Sequence, residues 1–168
     1  MTTVTGPSLR AAMGRFASGV AVVTTVAGGQ PHGMTVNSLT SVSLDPPVLL
    51  VCLAGVARST DAVLAAGRFA VSVLSARQRD LALRFAVNGA DHFAGLPLVY
   101  GCHAVPVVPE ALAHLECLTS DTRSVGDHVV VFGEVERVCY SDGAPLAFHG
   151  GRFGSFTEQG EDPVPWFF

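Results

Sequence analysis

Lysine is missing from this sequence: all 10 of its basic residues are arginine, scattered along 168 residues that carry a net charge of −4. No basic run forms, so the electrostatic footprint of a nucleic-acid-binding face is lacking. No apolar stretch reaches the roughly 18–20 residues that a membrane-spanning helix needs. Residues 1–8 show neither a charged lead nor an apolar signal core, and the expectation is a cytoplasmic chain. The 4 cysteines, Cys52, Cys102, Cys117 and Cys139, form no Cys-x-x-Cys pair, which argues against a zinc ribbon or a thioredoxin-type site. Cys52, Cys117 and Cys139 sit in apolar, strand-like sequence and read as buried free thiols. The 6 histidines show no His-x-x-x-His spacing, and Cys102 beside His103 is poor geometry for a shared metal, so no metal site is expected. No Gly-x-Gly-x-x-Gly opens a helix after a strand, which argues against a dinucleotide-binding Rossmann fold.

What is present is mostly apolar. Hydrophobic residues make up 49% of the chain and charged residues 14%. The length suggests one domain, read as residues 1–168 with a core over about 9–156 and a tail at 157–168. Such sparse charge has two explanations: a rich core, or apolar surface that a second copy covers in a homodimer. Ser8 is placed to cap a helix over 9–18, with Leu9, Ala12, Met13 and Phe16 on one face and Gly19 at its end. Strands follow over 20–27 and 31–37, joined by a Gly28-Gly29 turn, then a short piece at 41–44. The apolar run 48–53 reads as a strand buried on both faces. Ser59 or Thr60 caps a helix that Gly67 ends, 69–74 is a strand, and Ser75 caps a helix to about Ala86. From 87 to 109 the pattern dissolves into loops broken by glycine and proline. Long strands return at 112–122 and 129–140, with Gly133 read as a bulge, and a last strand at 145–149. The terminal Trp166-Phe167-Phe168 reads as a packed aromatic cluster. About eight strands with helices inserted between them indicate a mainly β protein, an antiparallel barrel.

Polar groups meet strand ends in three places. Thr35, Val36, Asn37, Ser38, Ser41, Val42 and Ser43 form a ledge of short side chains and accessible backbone before the Pro46-Pro47 step. It suits a flat polar ligand lying on the main chain, or it is an ordinary turn between strands. Arg58, Ser59 and Thr60 open a helix, where a phosphate would meet backbone N–H groups, hydroxyls and a guanidinium; a plain helix cap beside a solvated arginine is the other reading. Asp127-His128 leads into the longest strand, where an imidazole can donate a proton or orient a ligand, or simply face water.

Read together, these residues resemble the short-chain flavin reductase family, the NAD(P)H:flavin oxidoreductase component of two-component monooxygenases. The resemblance runs through Met13 to Val20, Gly33 to Ser38, Ser41 to Pro47, Phe69 to Ser75, Phe85-Ala86, and Gly126-Asp127-His128 followed by Gly133-Glu134-Val135. It implies an FMN-binding split β-barrel of Greek-key type, a homodimer, and FMN or FAD reduced by NADH or NADPH for a partner monooxygenase. It implies that Thr35, Val36, Asn37, Ser38, Ser41, Val42 and Ser43 line the flavin, and that Arg58, Ser59 and Thr60 hold its phosphate. His128 would lie at the flavin and nicotinamide, and Arg152 and Phe153 would help hold the nicotinamide nucleotide. His92 stands where relatives commonly carry Arg or Lys, and Gly154 where some carry His. Other readings stay open: a barrel with retained FMN that reduces a small organic or ferric substrate, a non-redox flavin-binding module, or, because of these departures, a barrel turned to other chemistry.

Overall fold

The computed structural model describes residues 3–87, 89, 91–97, 99–101 and 103–157. Asn88, Cys102 and the aromatic cluster of the tail lie outside the described residues. Helix α1 (Gly6–Met13) begins earlier than its apolar spacing suggests. Thr5 is the cap, because its hydroxyl accepts from the Ser8 N–H at 3.2 Å while Ser8 Oγ accepts from the Thr5 N–H at 2.7 Å. Pro7 in the first turn lacks only an N–H that would have had no helical partner. Gly19 lies in a short strand β1 (Ser18–Gly19), not at a helix end.

The next elements are β2 (Ala21–Ala27), β3 (Gln30–Val36), β4 (Thr40–Leu44) and β5 (Pro47–Ala54). Helix α2 (Arg58–Ala66), β6 (Arg68–Val73) and α3 (Arg79–Ala86) follow. Short strands β7 (Val99–Tyr100) and β8 (Pro106–Val107) pair within the irregular region. Then come the long strands β9 (Ala113–Val125) and β10 (His128–Tyr140), and finally β11 (Leu146–His149) and β12 (Arg152–Ser155). The strands outnumber the expected eight or so because β1, β7, β8 and β12 are too short to leave a periodic signal.

A 7-stranded antiparallel sheet runs in the order β3-β2-β6-β9-β10-β5-β4, with the β9–β10 hairpin inserted between β6 and β5. Its inner face gathers Ala21, Val23, Val36, Leu49, Val51, Leu53, Phe69, Val71, Cys117 and Val131 into one core, with Val63 of α2 packed among them. The sheet is therefore curled around this core, and β3 and β4 are its two edges. The chain passes from one edge to the other through residues 37–39. There Ser38 Oγ accepts from the Cys52 N–H and donates to the Cys52 carbonyl, both at 3.0 Å, pinning the corner to β5. A second core of Val20, Val22, Leu74, Ala82, Phe85, Val108, Ala111 and Leu146 lies on the other side of β2.

Strand β2, rather than β5, is the one buried on both faces. Along β5 only Leu49, Val51 and Leu53 are buried and the residues between them are half-covered or open, because the second core lies over β2 and not over β5. Cys117 is buried, and burial pushes its thiol up to about 12, with Glu116 and Glu136 adding to the effect. Cys139 is exposed, contrary to its apolar surroundings in sequence, because the far half of β10 faces outward.

Gly133 marks the expected bulge: the β9–β10 register shifts between Phe132 and Gly133. A Cβ at Gly133 would lie 2.5 Å from Phe69 Cζ and 2.8 Å from Cys117 Cβ, both in the core. Gly133→Val is expected to destabilise the protein by about 3 kcal/mol or more through overpacking, read as a lower urea midpoint at unchanged slope. Iodoacetamide at pH 8 is expected to modify Cys139 well before Cys117, with peptide mass spectrometry as the readout.

Candidate functional site

Helix α3 sets the shape of one cleft. Its Phe85 ring lies on β3 at Gly33, where a Cβ would come within 2.7 Å of Phe85 Cε1 and 3.2 Å of Thr24 Cγ2. A side chain at 33 would lift the helix away. The same ring stands 5.3 Å from His92 and 5.1 Å from Phe93, so α3 fixes the segment beyond it. Between these residues, β3 and the start of α2 lies a cleft of about 400 Å³, whose polar lining includes His32, Arg58, Ser59, Asp91 and His92. Its guanidinium at Arg58 is a place where an anion could be held.

The hydroxyls expected to bind a phosphate are engaged elsewhere. Ser59 Oγ donates to the Gly33 carbonyl at 2.9 Å, and Thr60 Oγ1 donates to the Ala54 carbonyl at 2.7 Å. Thr60 is fully buried and cannot face a ligand in this cleft; it ties the first turn of α2 to the end of β5. Neither residue caps α2, whose cap position is Ala57. What the cleft offers is chiefly the exposed Arg58 guanidinium, because the N–H groups of Thr60 and Asp61 in the first turn already donate to the Ala57 carbonyl at 2.8 and 3.4 Å. Asp91 is turned aside, since Oδ1 accepts from the N–H groups of Phe93 and Ala94 at 3.2 and 3.1 Å.

A second cleft of about 380 Å³ holds Asn37, Ser38, Leu39 and Thr40 against Met13 and Phe16 of the N-terminal segment. Here the ledge is less open than its composition suggests. Thr35 Oγ1 donates to the Ala82 carbonyl of α3 at 2.7 Å, Val36 is in the core, and the Ser38 hydroxyl is held by Cys52. Ser43 Oγ accepts from the Asp45 N–H at 3.2 Å, while Ser41 and Val42 lie exposed on the edge strand β4. Asn37, which is exposed, and the backbone around it remain for a ligand.

His128 lies in neither lining. It opens β10 opposite Ala54 and Val125, about half exposed, with Nδ1 donating to Asp127 Oδ1 at 2.7 Å. The hydrogen bond and the charge of that imidazole hold the Asp127 carboxyl below its usual range. Arg152 and Phe153 sit in the small sheet of β1, β11 and β12. Phe153 packs against Phe148 at 5.5 Å with the Arg79 guanidinium 6.0 Å from its ring, so it belongs to the second core, whereas Arg152 is exposed. The single chain thus groups Asn37 with Ser38 and Arg58 with Ser59, and holds His128 and Arg152 apart from both groups.

Sequence reasoning missed His32, Phe85 and Phe93 as cleft walls. The signal for Phe85 was available in Gly33, a glycine inside a β-branched strand pair, which marks a close approach.

A model of the flavin reductase like domain matches residues 13–157. The chain belongs to this family. It is 45% identical over 152 residues to an FMN reductase (NADH), SmoA, of Agrobacterium fabrum, covering 90% of this chain and 87% of that one. It is 40% identical over 168 residues to an NADH-dependent flavin reductase of a Rhodococcus species, covering 98% and 94%. Among solved structures it superposes on the NADH:FAD oxidoreductase SgcE6 of Streptomyces globisporus, in complex with NAD and FAD fragments, with a TM-score of 0.86 and 38% identity over 95% of this chain and all of that one. The curled antiparallel sheet is the flavin reductase barrel, and both clefts lie within the matched segment. Among the described residues no helix is long and apolar enough to cross a membrane.

Ser38 satisfies both backbone groups of Cys52, so Ser38→Ala is expected to cost about 1–3 kcal/mol. The check is thermal unfolding, together with faster amide exchange at Cys52.

Proposed function

We propose that this protein reduces free flavin with NADH and supplies the product to a flavin-dependent monooxygenase, with FMN as the first choice of flavin and FAD as the second. The observation that carries the reading is the family match across residues 13–157, with relatives named as NADH-dependent flavin reductases. The residues fit such a ligand. The cleft with the Arg58 guanidinium suits a phosphate, and the nearly uncharged corner at Asn37 suits the polar edge of a ring system. Strand β3 connects them, and four residues from Gly33 to Asn37 span roughly 13 Å, comparable to the reach from a phosphate to a flavin ring.

Flavin, when held there, supplies a hydride acceptor for the nicotinamide. The chain's part is positioning, which carries most of such a reaction. Arg58 anchors the phosphate, Asn37 and neighbouring backbone hold the ring edge, and Asp127 orients His128 so that Nε2 is left for ligand or proton. Thr35, Ser38, Ser59 and Thr60 hold the walls. Arg152, exposed beside the second core, is the candidate contact for the nicotinamide nucleotide.

A homodimer is part of this proposal. Helix α1 buries no residue in the single chain, and Leu9, Met13 and Phe16 are 55%, 58% and 72% exposed. Met13 and Phe16 line the second cleft, so a partner covering them would also wall the ring site.

Purified protein mixed with NADH and FMN under air is expected to consume NADH, followed at the reduced-nicotinamide absorbance. His128→Ala is expected to lower the rate about tenfold or more. An unchanged rate would remove His128 from the site, and no NADH loss would overturn the reductase reading.

A further inference from the structure

We infer that Arg10 and Arg15 form a second anion site, at the end of α1 against the β11–β12 turn, which takes the diphosphate of the nicotinamide dinucleotide. This rests on the reductase reading above and concerns the hydride donor, not the flavin. Between α1 and the turn lies a cleft of about 450 Å³, and both arginines line it. Its other wall is main chain. The Gly150 N–H donates to the Gly14 carbonyl at 2.8 Å, which fixes the turn to the end of the helix. Gly150 and Gly151 take φ of 58° and 78°, and neither has a side chain to keep a phosphate off the backbone. Among the described residues neither Arg10 nor Arg15 makes an ion pair. The cavity beside Arg137 differs, because Glu116 and Glu136 line it too. Two guanidiniums match the charge of a diphosphate, and each can hold it through paired N–H donors.

The position of the cleft points to the hydride donor. Residues 13–16 lie between it and the corner at Asn37: Met13 and Phe16 line the cleft of Asn37, while Gly14 and Arg15 line the cleft of the two arginines. A nicotinamide placed at the ring corner would have its diphosphate within reach across this short segment. The flavin phosphate has its own place at Arg58, in a cleft that shares no lining residue with this one. Helical spacing turns Pro7, Ala11 and Gly14, which line the arginine cleft, away from Leu9 and Met13. A second copy can therefore cover the apolar side of α1 without filling this cleft. The charged neighbour is Asp127. It is bonded to His128 Nδ1 at 2.7 Å, and that bond and the imidazole charge hold its carboxyl low, with Arg10 adding a smaller effect. Arg10 thus borders both the cleft and the turn that carries His128.

The test compares the wild type with a protein carrying both Arg10→Gln and Arg15→Gln, by binding and by turnover. Calorimetric titration with ADP-ribose, which carries the diphosphate without nicotinamide, is expected to show binding about tenfold or more weaker in the variant. In the NADH and FMN assay the KM for NADH is expected to rise by about tenfold, with little change in kcat or in the KM for FMN. The control donor is N-benzyl-dihydronicotinamide, which has no phosphate. The ratio of kcat/KM for NADH to that for this donor is expected to fall about tenfold in the variant. An unchanged ratio overturns the inference even if the variant is slower, because equal loss with both donors is what a disturbed fold gives. A rise confined to the KM for FMN also overturns it and places the flavin phosphate at the arginines. So does a variant that oxidises NADH like the wild type but no longer supports a monooxygenase, which would make the patch a protein contact. If the wild type consumes NADH and the variant binds ADP-ribose equally well, the reductase stands and the arginine site falls. If the wild type consumes no NADH, both readings fall.

Discussion

Burial of β2 on both faces is the constraint around which the rest is arranged. Ala21 and Val23 point into the curled sheet, while Val20 and Val22 point into the second core beneath α3 and β11. A strand so placed cannot leave a polar side chain unpaired. Thr24 donates to the Pro106 carbonyl and Thr25 to the Arg68 carbonyl, at 2.7 Å for Thr25, so the two hydroxyls stitch β2 to β8 and β6. With β2 fixed, its hairpin partner β3 becomes an edge whose outer side is free to meet α3 at Gly33, and the anion cleft follows from that contact.

The same economy explains the character of the site. Serine and threonine look like ligand-binding groups in sequence, yet Thr35, Ser38, Ser59 and Thr60 each donate to a backbone carbonyl of another element. A buried carbonyl without a donor is costly, so a nearby hydroxyl is drawn to it. What is left for a ligand is backbone, an exposed amide at Asn37, a guanidinium at Arg58 and imidazoles. In the proposed site a ligand would be held by shape and by one guanidinium, with few fixed charges to hold a product back. That is consistent with a protein whose reduced flavin must leave it.

Much of the fold was legible because strand alternation and turn glycines are local. The β2–β3 hairpin, the long β9–β10 pair, the bulge at Gly133 and the αL glycine that ends α2 all fall where the pattern puts them. Misreadings came where a nonlocal partner decides. Leu9, Met13 and Phe16 have helical spacing, but Thr5 and Pro7 set the start of α1 and the chain leaves it before Phe16. The run in β5 is apolar throughout, but whether its second face is covered depends on what packs there. Cys139 lies in apolar sequence on a part of β10 that the other described residues leave exposed.

The sequence by itself determined the class of the protein: a mainly β chain without membrane-spanning runs or basic stripes, whose ordered motifs match a flavin reductase domain. Those properties depend on composition, on period and on short spacings, which a linear chain carries directly. The tertiary structure alone decided which hydroxyls are engaged and which residues line one cleft. Arg58 and His92 are distant in sequence, and only the fold brings them to the lining of one cleft. Hydrogen-bond partners are chosen by proximity in three dimensions, and no pattern along the chain records them.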